Sequence, residues 1–305
     1  MSLKEVDFVI VGAGSAGCVL ADKLSASGGY HVVLIEAGPS DNRFWIRTPI
    51  GYGITYTDPK VNWCYSAEPD PAICNRRLYW PRGKVLGGSS SINAMVYHRG
   101  QAKDYDDWER ARNPGWGYDA VKNVYESFED FSRGNIPQQS QYSGTTNENR
   151  LSVYDAAAEY HSLKDDFGKA FLQAGLVKPD TPCLEGEGVG PYFINTRSGQ
   201  RCSSATAFLH PAAKRSNLEI LNNTTVTKIN TMELKATGVS CLVADNPVEI
   251  RARREVLLCA GAINSPQLLQ LSGIGPGEVL QAHGIQPALE HPHVGNHLQD
   301  HLGIS

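Results

Sequence analysis

The sequence predicts an α/β fold, and three stretches carry that prediction. Residues 7–36 read as strand, glycine turn, helix and strand, residues 218–243 as an antiparallel meander, and residues 255–273 as another strand, tight turn and helix. Together they describe a Rossmann-like βαβ domain with an antiparallel meander, and the text between them supplies a partial α+β second domain. The division expected is 1–110 with 190–305 for the first domain and 111–189 for the second.

The first stretch opens with Phe8-Val9-Ile10-Val11, a short buried strand, and runs at once into Gly12-Ala13-Gly14-Ser15-Ala16-Gly17. Val19, Leu20 and Leu24 then recur at helical spacing before Gly28-Gly29 ends the helix, and a second strand, Val32-Val33-Leu34-Ile35, closes on Glu36. This is the context a dinucleotide fingerprint requires. Gly12 permits the tight turn, Gly14 lets a pyrophosphate approach the backbone, and Gly17 lets the helix pack closely on the strand. Free N–H groups at the helix start face the phosphates, and Glu36 can accept hydrogen bonds from two ribose hydroxyls.

From 38 to 82 closely spaced prolines exclude long helices, and Asn62-Trp63-Cys64-Tyr65 and Leu78-Tyr79-Trp80 read as short strands. Trp63 is open to two readings, a core tryptophan or a ring that stacks on a ligand. Gly87-Gly88-Ser89-Ser90-Ser91 predicts a second loop opening a helix, with further N–H groups and hydroxyls for a phosphate and with Arg82 and Lys84 adding charge. Ile92, Met95 and Val96 call for burial. Val121, Val124, Tyr125, Phe128 and Phe131 mark an amphipathic helix. The polar text from Ser132 to Arg150 reads as a lid, and Phe167, Ala170, Phe171 and Ala174 share one face of a helix stopped by Gly175. The meander comprises 218–221, 225–229 and 238–243. The last strand, ending in Ala260-Gly261, feeds a helix with Ser265 as N-cap, Pro266 at N1 and Gly273 at its end.

Bulk properties narrow the partners. A formal charge of −4 and a pI near 6.1 exclude long-range attraction to nucleic acid or anionic lipid. Seven scattered cysteines with no CxxC pair fit reduced thiols in a cytoplasmic protein. No integral membrane segment is expected, which leaves peripheral contact as the sole form of membrane association. The first residues lack the pattern of a signal peptide. His291, His293, His297 and His301 crowd one segment, and their spacing alone raises a metal site, but Pro292 and the two-residue spacing bring His291 and His293 to a similar side only in an extended chain, so no metal is expected.

The chain resembles the glucose–methanol–choline (GMC) flavoprotein oxidoreductases, most of all their choline dehydrogenase and acceptor-dependent alcohol dehydrogenase branch. Four ordered stretches carry the resemblance: 9–38, the run from Gly83 through Asn93 and Gly100 to Asp106, 261–275, and Val294-Gly295-Asn296-His297-Leu298-Gln299-Asp300-His301. Arg201-Cys202-Ser203-Ser204-Ala205-Thr206-Ala207-Phe208-Leu209 also fits. The resemblance implies FAD. Gly12, Gly14, Ser15, Ala16, Gly17, Glu36 and Ala37 would hold its ADP half, with Val226 against the adenine. Val85, Ser89, Asn93, Ala94, Met95 and Val96 would line the pyrophosphate and flavin, with Ala260 and Gly261 approaching it through the backbone; independently of the resemblance, Trp63 stays a cofactor-stacking candidate. Relatives with a covalent flavin carry a histidine where this chain has Ile92, so the FAD is expected to be noncovalent.

Family members oxidise primary alcohols by hydride transfer to flavin N5 with a histidine as base, helped by a second His or Asn later in the chain. That histidine belongs to a His-x-x-Gly-Thr motif, and this text ends at Ser305 without one, so no catalytic residue is assigned and the chain reads as an N-terminal portion. His297 stands where the family has Asn, His98 gains no catalytic role, and the lid departs from the usual His-Gly-Gly text. The implied substrate is a choline-like or other small alcohol. The electron acceptor is open between oxygen, a quinone and a dye-like molecule. Two further readings stand beside this one: a flavin-containing hydroxynitrile lyase-like enzyme, and a catalytically inactive FAD-binding fragment.

Overall fold

In a computed structural model of the chain, residues 4–131, 150–178 and 188–301 are described. They form two compact units. The first comprises Met1–Arg43, Gly53–Ile92 and Ser204–Ser305, the second Phe44–Tyr52 and Asn93–Ser203.

The first unit is built on a six-stranded sheet. Its strands are β1 (Lys4–Val11), β2 (Val32–Ile35), β3 (Leu218–Leu221), β4 (Thr224–Met232), β5 (Lys235–Val243) and β6 (Asn246–Leu258), in the spatial order β3-β2-β1-β6-β5-β4. β1, β2, β3 and the end of β6 run parallel, whereas β4, β5 and the start of β6 are antiparallel. β6 is therefore shared: Val239 and Val243 of β5 face Ile250 and Asn246, while Val9 and Val11 of β1 face Val256 and Leu258. Alternation sorts the side chains. Val6, Val9, Val11, Val33 and Ile35 gather with Ile229, Val239, Cys241, Ile250 and Leu268 in one core layer. β2 is buried along its whole length, as a strand covered on both faces should be.

Two expectations change here. Leu218–Leu221 is not part of the meander but the parallel edge beside β2, because Asn222-Asn223 turns across the end of β2 instead of forming a hairpin. The Thr224 N–H then donates to the Glu36 carbonyl and the Asn223 N–H to that of Gly38. The meander's third strand is β6, which begins far earlier than residue 255. Its two hairpins turn on Glu233-Leu234 and Ala244-Asp245, all four residues at left-handed φ.

α1 (Ser15–Ser25) follows the first turn and ends near Gly28 at φ +71°. Its buried residues are Gly17, Cys18, Ala21, Asp22 and Ser25, while Val19, Leu20 and Leu24 are half-buried flanks. Close approach to its neighbours admits only small side chains on the inner stripe. The buried Asp22 and Ser25 are satisfied by Arg215, which donates to Asp22 Oδ1 and Ser25 Oγ at 2.8 Å each. α2 (Gly261–Leu271) begins four residues before the expected cap: Ala260 is the N-cap and Pro266 lies inside the helix. Gly261, at φ +87°, lets the chain turn directly from β6 into the helix, so the proline's missing N–H falls in the interior. Gly273 closes the helix as expected, at φ +85°.

The second unit holds a small antiparallel sheet of Val96–Tyr97, Phe193–Ile194 and Tyr154–Asp155. Tyr97, Val153 and Phe193 form its core with Phe131 and Leu151. A buried ion pair braces it: Arg99 Nε donates to Glu129 Oε1 at 2.9 Å, and Tyr97 Oη also bonds Glu129. The amphipathic helix spans Tyr118–Phe128, and Phe131 lies past its end, 6.0 Å from the Phe193 ring. The helix Leu163–Gln173 buries none of its residues, and Phe167 and Phe171 are exposed. The stretch read as a lid lies outside the described residues, apart from Arg150.

Ile250 joins both halves of the sheet and is 1% exposed. Ile250→Ala is expected to destabilise the chain by about 2–5 kcal/mol, read as a lower urea midpoint.

Candidate functional site

In the first unit, three segments of chain meet at the turn after β1. Gly12 has φ +97°, and a Cβ built on it would lie 2.5 Å from the carbonyl oxygen of Cys259. A Cβ on Gly17 would lie 1.9 Å from the Gly12 oxygen, so the third glycine is what seats α1 against the turn. The second glycine-rich loop arrives from the other side: the Gly87 N–H donates to the Ala13 carbonyl at 2.7 Å, and a Cβ on Gly88 would come within 2.7 Å of Gly14 Cα. A Cβ on Gly14 itself would meet only the Cys259 oxygen, at 3.9 Å. Space therefore remains beside the start of α1. Ser15 and Ala16 are exposed there, and no side-chain hydrogen bond caps the helix N-terminus. Backbone N–H groups, open space and the positive end of a helix suit a phosphate.

Glu36 stands at the end of β2 and is 6% exposed. Its Oε2 accepts the Ala13 N–H and its Oε1 the Gly38 N–H, both at 2.9 Å. The Ala37 N–H also acts on this carboxylate, and its roughly four lone-pair sites still leave capacity for hydroxyl donors. Burial pushes this carboxyl up to about 7, against the pull of those N–H groups and of Lys84. Ala37 is half-buried beside it, and a Cβ on Gly38 would lie 1.9 Å from the Lys84 oxygen, so the second loop is pressed against this side of the turn as well.

The loop itself differs from the helix expected. Gly88–Ser91 forms a short 3₁₀ turn after Gly87 at φ +86°. Ser91 Oγ donates to the Leu86 carbonyl, and Ser90 Oγ donates to that of Gly87 and accepts the Ser204 N–H. Those hydroxyls stabilise the loop. Ser89 is exposed, with its Oγ accepting the Gly83 N–H at 3.1 Å, while Val85 is fully buried beneath the loop and Ile92 is buried after it. Trp63 is half-buried, stacked on Tyr65 at 5.8 Å with Lys84 Nζ 4.7 Å from its ring centroid. Tyr65 in turn accepts a hydrogen bond from Asn264 of α2. Ala260 and Gly261 mark the end of β6, with nothing within 4 Å of a Cβ on Gly261, and Val226 is half-buried in β4.

Asn93, Ala94, Met95 and Val96 belong to the second unit. Met95 is buried, whereas Val96 is 47% exposed, contrary to its expected burial, because the strand it opens turns Tyr97 inward instead. Asn93 Oδ1 accepts the Met95 N–H at 3.0 Å and a hydrogen bond from Arg201 at 2.8 Å. Sequence reasoning placed Arg201 in a family motif without a task for it.

His293 Nδ1 lies 3.2 Å from His297 Nε2, but no group of three metal-binding side chains occurs among the described residues. Among those residues, no helix is long and apolar enough to cross a membrane.

A family model described as GMC oxidoreductase matches residues 6–303. The chain is 42% identical over 308 residues to an acceptor-type alcohol dehydrogenase of Pseudomonas putida, covering 98% of this chain and 54% of that protein. It is 41% identical over 301 residues to an oxygen-dependent choline dehydrogenase of Photobacterium profundum, covering 98% and 52%. Among solved structures it matches an FAD-dependent oxidoreductase of Chaetomium thermophilum with TM-score 0.84 and 28% identity, over 94% of this chain and 51% of that one. The chain thus spans about half the length of the curated relatives it matches.

The Glu36 carboxyl binds a proton more tightly in the folded chain than in the unfolded one. Stability is therefore lost as pH rises from the ordinary carboxylate range through about 7. Urea unfolding of the ligand-free chain across this range should show that decline, with a slope of at most about 1.4 kcal/mol per pH unit from this group. Glu36→Gln should remove that part of the slope, whatever constant offset the amide introduces.

Proposed function

The chain belongs to the GMC oxidoreductases, and from that membership we propose that it binds FAD noncovalently and, within a full-length protein, serves the oxidation of a small primary alcohol. The observation that carries the proposal is the convergence on one turn of three backbone segments with no room for side chains, beside a buried carboxylate. The donor set fits FAD: uncapped N–H groups at Ser15 and Ala16 for the pyrophosphate, and Glu36 for the ribose. Gly12, Gly14, Gly17 and Ala37 shape this half, and Val226 meets the adenine through its backbone. Val85 supports the second loop while Ser89 offers its hydroxyl, and Ala260 and Gly261 approach the flavin through main chain alone. On the second unit Asn93, Ala94, Met95 and Val96 are assigned to the flavin, and Trp63 to ring stacking. Ile92, apolar and buried where covalent relatives carry histidine, favours a noncovalent cofactor.

When bound, FAD would supply the two-electron acceptor that oxidation of an alcohol requires. The residues of this chain bind and orient it: α1 directs its N–H groups at the pyrophosphate, and Glu36 holds the ribose diol. The base is assigned to the family's His-x-x-Gly-Thr motif rather than to any histidine here. The substrate is proposed as a choline-like or other small alcohol, the acceptor as oxygen, a quinone or a dye-like molecule, and the location as cytoplasmic.

Ribose hydroxyls donating to Glu36 favour its ionised form, so FAD binding releases a proton. Flavin-fluorescence titration of the chain should show affinity rising between about pH 6 and pH 8, and Glu36→Ala should weaken binding at least about ten-fold and abolish that rise. For the full-length protein, anaerobic bleaching of the flavin by a primary alcohol supports the oxidoreductase reading. Cyanide release from a cyanohydrin without bleaching would replace it with a lyase.

A further inference from the structure

Arg201 closes the short strand Gln200–Arg201 in the second unit and is 4% exposed. Burying a guanidinium is costly unless its donors find partners in good geometry. Two of them are spent on neighbours far away in sequence: Nη1 donates to Asn93 Oδ1 at 2.8 Å, and Nε donates to the Ile46 carbonyl at 2.9 Å. The Asn93 oxygen also accepts the Met95 N–H, so one atom receives a charged donor from Arg201 and a backbone donor from its own turn. That turn is strained. Met95 has φ +62°, a left-handed conformation that a methionine adopts only when its surroundings impose it. The Met95 carbonyl accepts the Asn195 N–H at 2.8 Å, which holds the far side of the same peptide run. Asn93, Ala94 and Val96 are thereby presented outward while Met95 is buried.

We propose that Arg201 is a positioning residue for the flavin: acting through Asn93 Oδ1, it holds residues 93–96 in the left-handed turn that presents them to the isoalloxazine. This rests on the FAD reading above. The guanidinium touches no cofactor itself. Its task is to fix the asparagine amide so that its oxygen, not its NH2, meets the Met95 N–H.

The test separates the two halves of the cofactor. FAD and ADP are titrated into the wild-type chain and into Arg201→Met, Arg201→Lys, Asn93→Ala and the Arg201→Met/Asn93→Ala double variant, and the visible circular dichroism of bound flavin is recorded at saturation. ADP reports the nucleotide half alone. Arg201→Met should weaken FAD about ten-fold, the loss of one charged hydrogen bond, while leaving ADP affinity unchanged and altering the flavin dichroism. The double variant should bind FAD no more weakly than Asn93→Ala, because both changes break one link. Arg201→Lys keeps the charge but cannot reach both acceptors in one geometry, so it should give a smaller loss of the same kind. It stands in for the methionine variant should that one fail to fold. Equal losses of ADP and FAD, unchanged FAD binding, or additive losses in the double variant would each overturn the positioning role and leave the cofactor reading intact. A wild-type chain that binds no FAD would overturn that reading, and this inference with it.

Discussion

The absence of room for a side chain at Gly17 governs the first unit. A methyl group there would sit on the Gly12 carbonyl, and one on Gly12 would sit on that of Cys259, so α1, the end of β1 and the end of β6 lie at backbone contact. The inner stripe of α1 must then be Cys18, Ala21 and Ser25 rather than its leucines. The second loop must likewise use glycine at 88, which passes over Gly14, and it uses glycine at 87 for a left-handed φ of +86°. A helix start can serve an anion only if its N–H groups emerge beside open space, and this packing is what brings them there.

The charge at the site is set by the same closeness. Glu36 could not remain buried without the Ala13 and Gly38 N–H groups, yet burial still outweighs them and holds its proton up to about neutral pH. A ligand with two hydroxyl donors would shift that balance. The site thus combines a helix end suited to a diphosphate with a carboxylate suited to a diol.

Local text was most legible where one residue type answers one backbone demand. Gly12 and Gly17 marked the turn, Gly28 and Gly273 the helix ends, and Phe8-Val9-Ile10-Val11 a strand whose Val9, Ile10 and Val11 are buried. Other features depend on contacts that a linear pattern does not encode. Leu218-Glu219-Ile220-Leu221 alternates like a hairpin strand, and only its partner, β2, makes it parallel. Residues 246–254 contain Pro247 and three arginines and gave no strand signal, although they open the longest strand among those described. Ser265-Pro266 has the form of a helix start, but Gly261 had already turned the chain. The serines at 90 and 91 resembled phosphate donors, and the loop uses them to satisfy its own carbonyls. Arg201 was legible only as part of a motif, since its partners Ile46 and Asn93 are more than a hundred residues away.

β6 connects the meander to the turn in a way that reaches beyond packing. Its 13 residues pair with β5 at one end and with β1 at the other, and a tight two-residue hairpin at Ala244-Asp245 sets where it begins. A one-residue slip at that hairpin would be transmitted along the strand and would bring a different carbonyl opposite Gly12. The hairpin therefore acts as a length gauge for a cradle at the far end of the strand. Insertions at Ala244-Asp245 should be less well tolerated than exposure alone would suggest.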